Sequence, residues 1–167
     1  MPELELTRAR GDRKLYVLDG VGTLRLEGWT NRTATATAGD RSWALARRGV
    51  FKAVVEATDA LGTPVGTYAP RTFKRGGTLS WAGREYALAP ASAWRSRYAL
   101  ADGDRELAVF DGRGWGKRPV AVIADDLAAL DPGLLLYVAF VVRGLAEDAN
   151  TAAAAGASAA SAGAMGA

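Results

Sequence analysis

The chain has 167 residues, 49% hydrophobic and 23% charged, with a formal net charge of +3 and an isoelectric point near 9.4, a size and balance that suit one domain with a real core. It contains no cysteine and no histidine, which excludes disulfides, thiolate nucleophiles, cysteine-based zinc sites and imidazole bases or ligands. Any catalysis would rest on carboxylates, Lys, Tyr, Ser or Thr, and the mild positive charge permits an acidic partner without demanding one.

The opening residues, Met1 to Arg8, are charged and lack an apolar stretch, which argues against a secretory signal. From there to residue 124 the chain reads as short strands broken by turns. Leu4 to Leu6 alternates apolar and polar, and Gly11-Asp12 precedes Lys14 to Leu18, which Asp19-Gly20 closes. Thr23 to Trp29 alternates again; Thr33 to Thr37 is a strand of small residues turned by Gly39-Asp40 into Ser42 to Ala46. Phe51 to Thr58 and Pro64 to Tyr68 flank another turn. Thr78 to Trp81 and Arg84 to Leu88 flank Ala82-Gly83, a two-residue hairpin connection. Trp94 to Leu100, Glu106 to Phe110 and Val120 to Ala124 complete about twelve strands.

The stretch Leu134 to Val142 carries no polar side-chain group except the Tyr137 hydroxyl. Its β-branched valines keep a strand open as an alternative, but Asp131 as N-cap, Pro132 at the first helical position and the leucine-rich first turns favour a helix. A helix apolar on every face must be surrounded, and this run has roughly half of the ~20 residues a membrane-spanning helix needs. A sandwich has no room for it. The expected fold is therefore mainly β: a closed antiparallel barrel of about twelve strands around a central apolar C-terminal helix, at residues 131–146 of a domain covering 1–148. The Ala/Gly/Ser-rich segment 149–167 reads as a disordered tail. An echo between residues 41–46 and 84–89 has no third copy, so it reads as two similar hairpins and not a repeat array.

Several groups of side chains are candidate sites. The segment Asp111 to Pro119 resembles a phosphate loop but has Asp111 where a Walker loop needs glycine and Arg118 where it needs Ser or Thr. It reads first as a solvated, glycine-rich inter-strand loop; the functional alternative is an anion- or lipid-binding loop in which Arg113, Lys117 and Arg118 supply charge and Trp115 can insert into an interface. Arg71, Lys74 and Arg75 form a second candidate group, and Arg47-Arg48 with Lys52 and Arg95 with Arg97 are further basic groups at strand ends. Scattered solvation of turns is their ordinary role; convergence on one rim would make them a patch for anionic headgroups. Asp125-Asp126, Asp131 and Glu147-Asp148 flank the helix and read as capping residues, since their spacing matches no calcium loop. No metal site and no cofactor is expected. Trp29, Trp43, Trp81, Trp94, Tyr16, Tyr86 and Phe110 are expected in core and cross-strand packing rather than as a base-stacking platform.

About twelve short strands followed by the apolar helix Asp131 to Leu145, together with the turn Thr58 to Gly66, resemble the tubby C-terminal-like superfamily. Within it the chain is most similar to the LURP-one-related proteins, with phospholipid scramblases as more distant kin. The resemblance covers roughly residues 3–146 and implies a closed antiparallel barrel with the helix threaded through it. It transfers no binding residue, because no motif of those families can be matched here. It also departs from them: there is no cysteine for palmitoylation and no calcium loop.

The expectation is a non-enzymatic, cytoplasmic protein, peripheral at the membrane, whose partner is the surface of an anionic membrane; nucleic acid is disfavoured and no transmembrane span is expected. The alternatives are a structural or protein-interaction module serving an unknown protein partner, and a carboxylate-based hydrolase or lyase.

Overall fold

The computed structural model describes residues 3–49, 53–72, 75–91, 97–112 and 120–165, the last including residues 150, 153, 154 and 157–165 as backbone alone. Among the described residues are twelve strands: β1 (Glu3–Arg8), β2 (Leu15–Leu18), β3 (Gly22–Glu27), β4 (Thr33–Ala38), β5 (Arg41–Arg48), β6 (Val54–Asp59), β7 (Pro64–Pro70), β8 (Gly77–Trp81), β9 (Arg84–Pro90), β10 (Arg97–Asp102), β11 (Arg105–Asp111) and β12 (Val120–Ile123). Each pairs antiparallel with the next, and β12 pairs with β1 to close the barrel. A 3-10 turn (Leu127–Ala129) leads to α1 (Pro132–Met165).

Alternation decides which face turns inward. In β3, Leu24 and Leu26 are buried while Arg25 and Glu27 are exposed, and in β7 Gly66 and Tyr68 are buried while Thr67 and Ala69 are exposed. Apolar side chains inside and charged ones outside is the reverse of the pattern a lipid-embedded barrel carries. Large and small residues alternate around the ring, since the register runs Leu45 to Ala57, Ala57 to Gly66 and Gly66 to Trp81. A Cβ on Gly66 would come within 2.8 Å of the Trp81 ring, so the glycine makes room for the indole.

A barrel of this many strands would leave a lumen, and α1 fills it. Every residue from Leu134 to Val142 is buried, each leucine contributing about 1.5–3 kcal/mol by leaving water. The helix starts as its sequence predicts: Asp131 Oδ1 accepts from the Gly133 amide at 2.8 Å. Asp131 Oδ2 accepts from Trp81 Nε1 at 3.2 Å, which satisfies a buried indole N–H. A Cβ on Gly133 would lie 2.7 Å from both Trp43 and Trp81; the first turn thus seats on a tryptophan pair whose ring centroids are 5.8 Å apart. One turn on, Tyr137 stacks on Trp81 at 5.3 Å and its hydroxyl donates to the Val55 carbonyl at 2.6 Å.

Two expectations need correction. The helix does not stop near residue 146 but continues to Met165, through the segment read as a disordered tail. The buried turns have already met the cost of nucleation, and alanine, the best helix former, needs only propagation. Trp29 is not in the core: it is fully exposed, at 102% of its reference surface. The last inward residue of β3 is Leu26, and Gly28, at φ 72°, turns the chain away before the indole could reach the interior. Trp43, Trp81, Tyr86 and Phe110 are buried. Trp94 lies outside the described residues.

Candidate anion-binding pole

Because consecutive strands run in opposite directions, the connections fall alternately at the two ends of the barrel. The first, third, fifth and later odd-numbered connections (9–14, 28–32, 49–53, 71–76, 91–96 and 112–119) join strand ends at one pole, here the loop pole. The shorter even-numbered ones (19–21, 39–40, 60–63, 82–83 and 103–104) lie at the other, the turn pole, where the first turn of α1 also sits. The helix runs from the turn pole to the loop pole, reaching it where Gly144 packs on Arg47.

Charge separates along the same axis. The turn pole carries Asp19, Asp40, Asp59, Glu85, Asp102, Asp104, Asp125, Asp126 and Asp131 against Arg41, Arg84 and Arg105. Several of these carboxylates have local roles. Asp59 Oδ1 accepts from the Leu61 and Thr63 amides at 2.9 Å each, Asp126 caps the 3-10 turn, and Asp102 pairs with Arg84 at 3.0 Å.

The loop pole carries Arg8, Arg10, Arg13, Lys14, Arg32, Arg47, Arg48, Arg71, Arg75, Arg97 and Arg143 against Asp12, Glu27, Glu56, Asp111, Glu147 and Asp148 among the described residues. Some of these cations have carboxylate partners. Arg97 pairs with Asp111 at 3.1 Å, Arg48 with Glu56 at 3.1 Å, Arg143 with Glu147 at 3.2 Å, and Arg47 with Asp148. Others have none among the described residues. Arg8 donates to the Tyr16 hydroxyl at 3.3 Å, Arg32 donates to the Arg47 carbonyl at 3.3 Å, and Arg10, Arg13, Arg71 and Arg75 are exposed and make no ion pair there. Tyr16 lies between two guanidinium groups, with Arg8 5.7 Å and Arg143 5.4 Å from its ring centroid.

Inside this rim the phenol groups of Tyr68 and Tyr98 approach the surface cations. Burial, and then the neighbouring Tyr98, push the Tyr68 hydroxyl well above the ordinary tyrosine range, while Arg71 and Arg47 pull it the other way. Burial likewise raises Tyr98, with Arg75 opposing. Among the described residues the buried Tyr68 hydroxyl has no hydrogen-bond partner.

Of the residues singled out from sequence, Arg71 and Arg75 are exposed in one connection at the loop pole, which the Arg71 amide braces by donating to the Gly76 carbonyl at 2.9 Å. Lys74, Arg113, Trp115, Lys117 and Arg118 lie outside the described residues. Sequence reasoning missed Arg8, Arg10, Arg13, Lys14 and Arg32 as members of the same pole. The signal was connection parity: once an up-and-down barrel is assumed, basic residues in odd connections must share an end.

Elsewhere, an open depression of about 540 Å³ on the outside of β1 and β2 is lined by Glu3, Leu4, Glu5, Thr7, Val17 and Asp19. No group of three acidic side chains suited to a metal ion occurs among the described residues, and no helix there is long and apolar enough to cross a membrane. Comparison with protein-family models, curated proteins and solved structures found no match for this chain.

Proposed function

We propose that the protein is a non-enzymatic module that holds an anionic membrane surface against its loop pole, acting in the cytoplasm at the inner face of a membrane. The observation that carries this reading is the segregation of charge: exposed cations with no carboxylate partner among the described residues gather at one end of a barrel whose net charge is only +3. Each cation near an anionic bilayer contributes about 1 kcal/mol, so a convergent rim binds where scattered charges would not. The apolar interior is occupied by α1, which favours a surface ligand over an enclosed small molecule. The same architecture of closed barrel and threaded helix supports kinship with the tubby C-terminal-like superfamily and the LURP-one-related proteins, a relationship that forms part of this proposal.

The test is co-sedimentation with neutral and anionic vesicles, at low and at physiological salt. Binding to anionic vesicles alone, weakened by salt, is expected. Absence of binding in every condition would replace this reading with that of a protein-interaction module.

A further inference from the structure

Trp29 is the most exposed large hydrophobic side chain among the described residues, and Leu61, at 91%, is the other that stands fully out. A single exposed apolar side chain is ordinary on a protein surface, so exposure alone says little. What distinguishes Trp29 is where it stands and how it is held. Its connection, 28–32, belongs to the loop pole, whereas Leu61 occupies the turn pole beside Asp59.

The Trp29 turn is braced from both sides. Lys14 Nζ donates to the Gly28 carbonyl, and Thr33 Oγ1 donates to the Glu27 carbonyl at 3.4 Å. On the far side the Arg47 amide donates to the Arg32 carbonyl at 2.7 Å, and Arg32 returns its guanidinium to the Arg47 and Gly49 carbonyls. Gly28 at φ 72° and Asn31 at φ 53° set a tight left-handed path between these anchors. The indole is therefore presented on a fixed turn, with Lys14 and Arg32 bound to the turn's own backbone or its neighbours. Ordering costs that a loose loop would meet on binding are already met here.

We infer that Trp29 is the interfacial anchor of the loop pole, inserting its indole at the headgroup level of an anionic bilayer while the exposed Arg10, Arg13, Arg71 and Arg75 of the same pole meet the phosphates. An indole combines a large apolar face with one N–H donor, which is why tryptophan concentrates at membrane–water boundaries. Cations draw the pole to the surface in a salt-sensitive step, and the indole adds an attraction that salt does not screen. This inference rests on the membrane reading above and deepens it by naming the residue that enters the bilayer and the orientation that follows: turn pole outward, loop pole inward.

The experiment uses the full chain, whose lack of cysteine makes an introduced thiol the sole labelling site. An environment-sensitive dye is attached in Thr30→Cys, beside an intact Trp29, and separately in Ala60→Cys, beside Leu61. Each is titrated with vesicles of phosphatidylcholine alone or with phosphatidylserine, with and without a lipid-borne quencher. Expected is a blue shift and quenching at position 30 with the anionic vesicles, and neither at position 60. In co-sedimentation, Trp29→Ser should weaken binding by about tenfold or more, Trp29→Phe should retain part of it, and Leu61→Ser should leave it unchanged.

If the unlabelled protein binds anionic vesicles but Trp29→Ser binds equally well, the anchor is refuted while the membrane reading stands. The anchor is refuted as well if the dye at position 30 reports no change, or if position 60 responds alike. Failure of the unlabelled protein to bind any vesicle removes both.

Discussion

The two poles of the barrel are made from the same strands, yet they differ in almost every respect. At the turn pole, tight connections are shaped by residues serving the fold itself: Asp59 holds its own turn, Asp126 caps the 3-10 turn and Asp131 caps α1 while taking the Trp81 N–H. At the loop pole the connections are longer, and several cations have no carboxylate partner among the described residues. Acidic side chains outnumber basic ones at one end, and basic ones outnumber acidic ones at the other. A net charge of +3 conceals this polarity, because a sum over the chain carries no direction.

The strongest way to break the comparison is to remove the element that keeps the ends apart. Leu136 is fully buried, and Leu136→Asp would put a bare carboxylate inside the barrel, a cost of several kcal/mol or more. The expected result is a chain with no cooperative thermal transition. A soluble variant that still melts cooperatively would contradict the threaded-helix architecture. Next in size is charge reversal at the loop pole: Arg71→Glu with Arg75→Glu should weaken anionic-vesicle binding on the order of a hundredfold, with the melting temperature nearly unchanged because both side chains are exposed.

Gly133→Ala sharpens the turn-pole half of the comparison. Its methyl group would meet Trp43 and Trp81 at 2.7 Å, and overpacking there should cost about 1–3 kcal/mol, measured by urea denaturation, without altering vesicle binding.

The buried tyrosines give a pH signature. Burial raises Tyr68 and Tyr137 above the ordinary tyrosine value of 10.0, so each holds its proton more tightly folded than unfolded. Their contribution is complete below the unfolded value and is lost as pH climbs through it toward the folded one. Stability should be level to about pH 9 and fall above about pH 10. Tyr137→Phe, which also forfeits the 2.6 Å bond to the Val55 carbonyl at a cost of about 1–2 kcal/mol, should flatten that fall.

The smallest effect is at the Ala82-Gly83 turn, where Ala82 sits at φ 49°. Ala82→Gly should stabilise by about 0.5–1 kcal/mol and leave binding alone.

Much of this fold was legible from sequence because its signals are local. Alternation in Leu24-Arg25-Leu26-Glu27, the Ala82-Gly83 turn and the Asp131-Pro132 helix start each depend on a few neighbouring residues, and each appears where expected. Closure followed from one physical demand, that an all-apolar helix be surrounded. The misreadings came where local rules end. The tail's glycines and serines suggested disorder, but the buried turns before them supply the helix nucleus. Trp29 looked like part of an alternating strand, yet its strand ends at Glu27. The candidate site was legible only in part: Arg71 and Arg75 stood out as a basic group, whereas Arg10, Arg13 and Arg32 gain meaning only when strand direction assigns each connection to an end.

The central claim, that position and not total charge governs binding, is tested most directly by two matched variants. Arg71→Glu with Arg75→Glu alters the loop pole, and Arg84→Glu with Arg105→Glu alters the turn pole; both change net charge equally. Co-sedimentation with anionic vesicles at physiological salt should show binding lost in the first pair and kept in the second. Equal loss in both, or loss only in the turn-pole pair, would contradict the account.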